Sequence, residues 1–208
     1  MTSPAAPPSS EEIARLEPFE RLGLEAIRVV DSPDSARAAL AELAGHEVVG
    51  FDTEARPTFR VGETSQGPHV VQFAGPARAW VFLLRDEACR DAAARLLAEP
   101  GLAKVGFGLE GDRSQIQRKF GLPPRGVHDL NTVLRRLGYA RSLGARRAVA
   151  LLFRRRFIKS KRLTTSNWSL PALSAQQIAY AANDAWAAFR VWQALGLEPR
   201  QLEADNGE

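Results

Sequence analysis

The sequence predicts one α/β domain in which helices cover both faces of a mixed β-sheet. Three features of the element order support this: strand-like segments with a hairpin come first, strand–helix units follow, and helices fill the last third. The chain has 208 residues, of which 45% are hydrophobic and 25% charged. Those values suit a globular domain with a substantial apolar core.

Each element is predicted from local patterns of apolar and turn-forming residues. Strands are predicted at 27–30, 48–54, 69–74, 79–84, 104–107 and 127–129. Helices are predicted at 35–43, 86–98, 112–120, 130–138, 143–155 and 174–195. The segment 56–68 is rich in Pro and Gly and is predicted to be a loop. In sheets of this class, functional sites lie at the carboxyl ends of the strands.

The domain is predicted to occupy residues 24–197, between two less structured ends. Residues 1–23 are expected to be disordered or extended, because the first ten are mostly Pro, Ala and Ser. Residues 198–208 are expected to form a tail. Cys89 is the only cysteine and is predicted to be a buried apolar filler. With no signal-peptide pattern and no membrane-length apolar run, we expect a cytoplasmic protein without a membrane partner.

Two carboxylates follow the most apolar predicted strand. The run 48–51 leads directly into Asp52, Thr53 and Glu54. Because alternate side chains of a strand share a face, Asp52 and Glu54 should project together. Adjacent carboxylates repel, so either one takes up a proton or a cation lies between them. The alternative is that the strand has ended and both acids are solvated.

Two further acids are placed on predicted helices. Asp112 shares a helical face with Ile116 and Phe120, so it begins an apolar stripe that should face the interior. An acid there is costly unless it binds something. Tyr180 and Asp184 are four residues apart and share one face of the last long helix. An ordinary core-edge tyrosine and surface acid would give the same spacing.

Taken together, this ordered set of residues resembles the DEDD-type 3′-5′ exonucleases, in the subclass with tyrosine. The middle segment is most similar to the exonuclease domain of the Werner syndrome helicase, and a more distant resemblance is to RNase D. The subclass with histidine would need His at position 179, where this chain has Ala. The segments that carry the resemblance are FDTE at 51–54, KVGFGLEGD at 104–112, SNW at 166–168 and IAY at 178–180.

The resemblance implies a ribonuclease H-like fold and metal-dependent release of nucleoside 5′-monophosphates from the 3′ end of DNA or RNA, in DNA repair or RNA processing. It implies two divalent ions, about 4 Å apart, and an all-carboxylate site suits Mg²⁺ or Mn²⁺. Asp52, Glu54 and Asp184 would hold the first ion. Asp52, with Asp112 acting through water, would hold the second. Tyr180 would orient the attacking water.

A long acid-free stretch predicts contact with nucleic acid. The net charge is +4, yet residues 130–183 contain no Asp or Glu and eleven Lys or Arg. A segment of one sign attracts phosphate backbones. The alternative is a solvated helix face whose counter-charges lie elsewhere in the fold. We define the basic patch as the densest part of this stretch: Arg154, Arg155, Arg156, Lys159, Lys161 and Arg162.

The sequence is also compatible with two other functions. The first is a catalytically weak nucleic-acid-binding module of the same fold. The second is a phosphodiesterase that acts on small nucleotides, although the basic patch favours a polymer. His46, His69 and His128 show no metal-ligand spacing, so we predict structural or surface roles for them.

Overall fold

The computed structural model describes residues 6–58, 62–139 and 143–203, which form a six-stranded mixed sheet with helices on both faces. The spatial order is β1-β4-β3-β2-β5-β6, in which β2 pairs antiparallel with β3 and parallel with β5. The predicted hairpin is present, because β3 and β4 are antiparallel neighbours. The strands are β1 (Ile27–Val30), β2 (Val48–Glu54), β3 (Val70–Ala74), β4 (Ala79–Leu83), β5 (Ala103–Gly106) and β6 (Val127–Asp129).

Several helices begin at a residue whose side chain caps the first turn. Ser32, Asp86 and Ser174 are N-caps whose side chains accept a hydrogen bond from a backbone N–H, and the helix predicted from residue 35 begins two residues earlier, at Pro33. Among the described residues, no helix is long and apolar enough to cross a bilayer. The helices are α1 (Ser10–Arg15), α2 (Pro33–Leu43), α3 (Glu87–Ala98), α4 (Glu110–Phe120), α5 (Leu130–Arg136), α6 (Gly144–Phe153), α7 (Lys161–Thr164), α8 (Ala175–Ala194) and α9 (Pro199–Glu203).

The sheet separates two apolar cores, as the predicted α/β class requires. One core packs α6 and α8 against one face, and the other packs α2, α3 and α4 against the opposite face. β2 contributes to both, since Val48 belongs to the first core while Val49 and Phe51 belong to the second. Burial on both faces explains why this strand reads as a continuous apolar run.

Gly50 allows α8 to lie directly on β2. A Cβ atom at this position would come within 1.9 Å of the Ala185 carbonyl oxygen and 2.9 Å of the Phe189 Cβ. Only glycine therefore permits this separation between helix and strand. The close approach brings Asp184, one residue before Ala185, to the strand that carries Asp52.

The N-terminal segment differs from the disordered or extended segment that was expected for residues 1–23. Helix α1 starts with a capping box between Ser9 and Glu12. Phe19 is 6% exposed, and its ring lies 5.0 Å from that of Phe153 and 5.6 Å from that of Trp186. Residues 1–5 lie outside the described ranges. Burial of apolar side chains overrides the composition of this segment.

Hydrogen bonds join the same segment to the C-terminal half of the chain. The N–H of Phe19 donates to the carbonyl of Arg156 at 2.9 Å, and the N–H of Arg156 donates to the carbonyl of Glu17 at 2.8 Å. The N–H of Leu22 donates to Oδ1 of Asn183 at 2.8 Å. We call residues 17–22 the N-terminal strap.

The expected tail also contains structure. Residues 199–203 form α9, and Leu202 is 1% exposed within the first core. Residues 204–208 lie outside the described part of the chain. Of the described side chains of this helix, only Leu202 is buried, so the sequence contains no apolar pattern that would predict it.

Candidate active site

Three carboxylates converge where α8 crosses the carboxyl end of β2. Asp52, Glu54 and Asp184 each offer an oxygen, and these oxygens lie within 4.8 Å of one another. Asp52 and Glu54 share one face of β2, as their spacing predicts, and Asp184 comes from the third turn of α8. We call these three residues the carboxylate cluster.

The carboxylate cluster lies in a setting that opposes negative charge. Burial raises the pKa of Asp52 to about 8, and the neighbouring Asp184 and Asp112 add to the rise. Burial likewise raises the pKa of Glu54 to about 10, with Asp52 and Asp184 contributing. Without a cation, the cluster therefore holds protons at neutral pH.

Lys159 supplies a positive charge to the carboxylate cluster. Its Nζ lies 2.8 Å from Oδ2 of Asp184, whose side chain is 4% exposed. Burial lowers the pKa of Lys159, but the charges of Asp184 and Asp52 outweigh it and leave the pKa above its ordinary value. The ammonium is therefore charged and is held at the cluster.

Tyr180 lies one helical turn before Asp184. Its hydroxyl is 2.8 Å from Oγ1 of Thr164, and its ring packs 6.0 Å from that of Trp168. Burial, followed by the charge of Asp184, raises the pKa of the phenol. The hydroxyl is therefore protonated at neutral pH and can direct a hydrogen bond.

Asp112 lies beside the carboxylate cluster rather than within it. It sits in the first turn of α4 and accepts a hydrogen bond from the hydroxyl of Thr53. Burial raises its pKa. Its charge also raises the pKa of Asp52 and Glu54. The predicted inward stripe is present, because Ile116 on the same helix is fully buried.

Comparison with known sequences identifies the family. Residues 27–199 match the family described as 3′-5′ exonuclease. The chain belongs to this 3′-5′ exonuclease family. The match covers both elements that build the carboxylate cluster, and the predicted resemblance is confirmed. The assignment to the tyrosine subclass rests on Tyr180 and stays a prediction.

Curated relatives of this exonuclease domain come from plants and animals. A 3′-5′ exonuclease of Arabidopsis thaliana is 26% identical over 178 residues, which cover 85% of this chain and 59% of that protein. The exonuclease mut-7 homolog of Homo sapiens is 30% identical over 202 residues, covering 81% of this chain and 22% of that protein. The chain thus spans less than two thirds of either relative.

Solved structures confirm the ribonuclease H-like fold. The EXO domain of Nibbler from Aedes aegypti superposes with a TM-score of 0.74 at 22% identity, covering 89% of this chain and 97% of that domain. Escherichia coli RNase D superposes with a TM-score of 0.68 at 17% identity, covering 84% of this chain and 45% of that one.

The residues of this exonuclease domain fit a divalent cation. Three carboxylate oxygens within 4.8 Å of one another form a hard, anionic donor set. The buried Asp184 already attracts the Lys159 ammonium at 2.8 Å, which shows that the site requires positive charge. Mg²⁺ or Mn²⁺ suits such ligands.

Two members of the predicted basic patch have other roles. Lys159 pairs with Asp184, as described above. Arg156 bonds to the N-terminal strap through its backbone, and its Nη1 donates to the carbonyl of Ala14 at 2.9 Å. That these two side chains grip a phosphate backbone stays a prediction, and in this structure both also bind groups of the protein itself. Exposed side chains make up the rest of the patch: Arg154, Arg155, Lys161 and Arg162.

The remaining candidate residues are structural. His128 is 3% exposed in β6, and burial lowers its pKa to about 4. The ring of His46 packs edge-on against Trp80 at 5.5 Å. Nδ1 of His69 accepts the N–H of Arg56 at 3.2 Å. Cys89 is a free, fully buried thiol, as predicted.

Proposed function

We propose that this protein is an active, metal-dependent exonuclease that removes nucleoside 5′-monophosphates from the 3′ end of a nucleic-acid strand. The observation that carries the proposal is the convergence of Asp52, Glu54 and Asp184 within 4.8 Å in a chain of the 3′-5′ exonuclease family. The relatives' names support the activity. A buried cluster of acids would serve little purpose in a module that only binds.

Asp52, Glu54 and Asp184 would hold one Mg²⁺ or Mn²⁺ ion, and Asp52, with Asp112 acting through water, would hold the second. When bound, such ions lower the pKa of water and neutralise charge on a phosphoryl group. Thr53 fixes the Asp112 carboxylate by donating a hydrogen bond to it. We thus propose two ions per site, each either Mg²⁺ or Mn²⁺.

The Tyr180 hydroxyl would orient the attacking water. Because the phenol stays protonated, it serves as a hydrogen-bond partner and not as a base. Its bond to Thr164 at 2.8 Å fixes the hydroxyl, and the packing against Trp168 fixes the ring. A hydroxyl fixed in this way would be a rigid hydrogen-bond partner for the water beside Asp184.

Nucleic acid is the proposed substrate class, because the exposed cations of the basic patch lie in the same segment as Lys159. A crystal structure of Trypanosoma brucei RNase D contains RNA U12, and it superposes with a TM-score of 0.70 at 19% identity. A cytoplasmic location stays a prediction from the sequence.

Release of mononucleotides tests the proposed function. Single-stranded DNA and RNA labelled at the 5′ end should shorten one nucleotide at a time with Mn²⁺ and remain intact with EDTA. The released product should be a nucleoside 5′-monophosphate. A protein that binds the DNA and the RNA tightly but releases no nucleotide with any metal ion would instead be a nucleic-acid-binding module.

Metal binding should stabilise the folded protein. Folding raises the pKa values of Asp52 and Glu54. Above a pH of about 4, the metal-free folded protein therefore still holds protons that the unfolded chain has already released. Its stability therefore falls as pH rises from there towards about 8. Millimolar Mn²⁺ should raise the Tm by about 5 °C or more, with a larger rise at pH 8 than at pH 5. A Tm that is indifferent to Mg²⁺ and Mn²⁺ would contradict the metal assignment.

Removal of the exposed cations should weaken strand binding without slowing chemistry. We expect Arg155→Gln, Lys161→Gln and Arg162→Gln together to flatten the log–log salt dependence of binding by roughly 2, at roughly 0.7 per phosphate contact. Turnover at saturating substrate should persist, because the carboxylate cluster is untouched. Arg37→Gln, on α2, is the matched control. Equal salt slopes in the wild type and the triple variant would show that these side chains are only solvated.

A further inference from the structure

A second cavity opens beside the carboxylate cluster at the same edge of the sheet. It has a volume of about 290 Å³ and is lined in part by Val70 and Trp168. Val70 pairs with Glu54 across β2 and β3, and the ring of Trp168 packs 6.0 Å from that of Tyr180. The cavity therefore shares two walls with the proposed active site.

The charges that line this cavity are all positive. Arg85, Arg90 and Lys119 line it, and its lining residues include no Asp or Glu. Arg90 donates to the carbonyls of Leu84 and Arg85, at 3.1 and 2.9 Å, so its guanidinium is fixed by backbone. Within the described ranges, none of the three cations forms a salt bridge with a carboxylate. Cations from α4 and from the start of α3 thus converge without a counter-charge.

The wall of the cavity on the Tyr180 side is apolar and aromatic. Trp168, which is 2% exposed, lines it together with Leu170 and Leu173, and Leu170 is 44% exposed. Cations and an apolar wall together suit a nucleotide unit better than an inorganic anion.

We propose that this cavity binds a backbone phosphate of the strand whose 3′ end is held at the carboxylate cluster. Arg85 and Lys119 supply the charge, Arg90 is the backbone-anchored member, and the apolar wall at Trp168 and Leu173 packs against the nucleotide. This inference rests on the proposed function. It also adds cations that are not members of the basic patch, namely Arg85, Arg90 and Lys119.

A scan with neutral linkages tests the proposal. Strands that carry one methylphosphonate at successive positions from the 3′ end are bound to the full chain in an Asp52→Asn background, which prevents their degradation. One linkage should weaken binding by about tenfold, since a charged hydrogen bond is lost there. The double variant Arg85→Gln with Lys119→Gln should bind the natural strand about tenfold more weakly than the wild type does. The neutral linkage at the sensitive position should then weaken its binding no further. Arg95→Gln with Arg118→Gln, both exposed on α3 and α4, is the matched control.

Each alternative outcome contradicts the proposal in its own way. If every neutral linkage weakens binding equally in the wild type and in the Arg85 and Lys119 double variant, the cavity does not hold a backbone phosphate. If the pair changes inhibition by free nucleoside 5′-monophosphate but not strand binding, the cavity is a product site. Because the scan measures binding alone, it can succeed even where hydrolysis fails. Absence of nucleotide release from the wild type would overturn the proposed function separately.

Discussion

Asp52→Ala is expected to abolish strand hydrolysis, with a loss of at least about a thousandfold, because metal ions supply several kcal/mol of transition-state stabilisation. Asp52 is the residue proposed to hold both ions, because it belongs to the carboxylate cluster and the charge of Asp112 raises its pKa. Single-turnover release of the terminal nucleotide with Mn²⁺ measures the effect.

The Asp52 variant should also separate chemistry from folding. Removing one of several repelling carboxyls should leave the metal-free Tm unchanged or higher, while the rise in Tm caused by Mn²⁺ should largely disappear. Asp91→Asn, an exposed acid on α3, controls for the preparation. Near-normal turnover by pure Asp52→Ala protein would show that the assigned mechanism is wrong.

Lys159→Met is expected to destabilise the metal-free protein and to enlarge the response to metal. The ammonium lies 2.8 Å from the buried Asp184, so its loss leaves the cluster without a counter-charge. Since the lysine side chain is 34% exposed, we discount the loss to about 1–2 kcal/mol, which lowers the Tm by roughly 2–8 °C. Thermal melting with EDTA and with graded Mn²⁺ measures both effects.

The enlarged metal response follows from competition between two cations. In the wild type, a divalent ion that approaches Asp184 must replace or repel the ammonium, whereas in Lys159→Met it meets bare carboxylates. Mn²⁺ should therefore act at lower concentration in the variant. Lys161→Met, two residues later and exposed on α7, should change neither value. A Lys159 variant with the wild-type Tm and the wild-type Mn²⁺ midpoint would show that the ion pair has no such effect.

The parts of the site that could be predicted from sequence are those set by periodicity. Alternation along β2 places Asp52 with Glu54, and the helical repeat places Tyr180 with Asp184 and turns Ile116 inward. These relations depend on only one element each. The convergence of β2 and α8 required the resemblance to a known family, because nothing local to either segment indicates that Gly50 lets them touch.

The contacts of Lys159 and Arg156 could not be predicted, because both residues lie in a segment without regular secondary structure. Lys159 and Arg156 fall between α6 and α7, where no repeat fixes the direction of a side chain. Their positive charge was evident, but a charge pattern does not reveal which partner folds against it. The helix α1 was missed for another reason. Ser9 and Glu12 have the spacing of a capping box, but the surrounding Pro, Ala and Ser residues predict disorder.

The N-terminal strap shows that the boundary of the family is not the boundary of the folded unit. The family match begins at residue 27, yet residues 17–22 bond to Arg156, three residues before Lys159, and to Asn183, the neighbour of Asp184. Both halves of the ion pair are thus held in place by a segment that the family match leaves out. A chain trimmed to the matched residues would keep every proposed catalytic side chain and lose part of what aligns them.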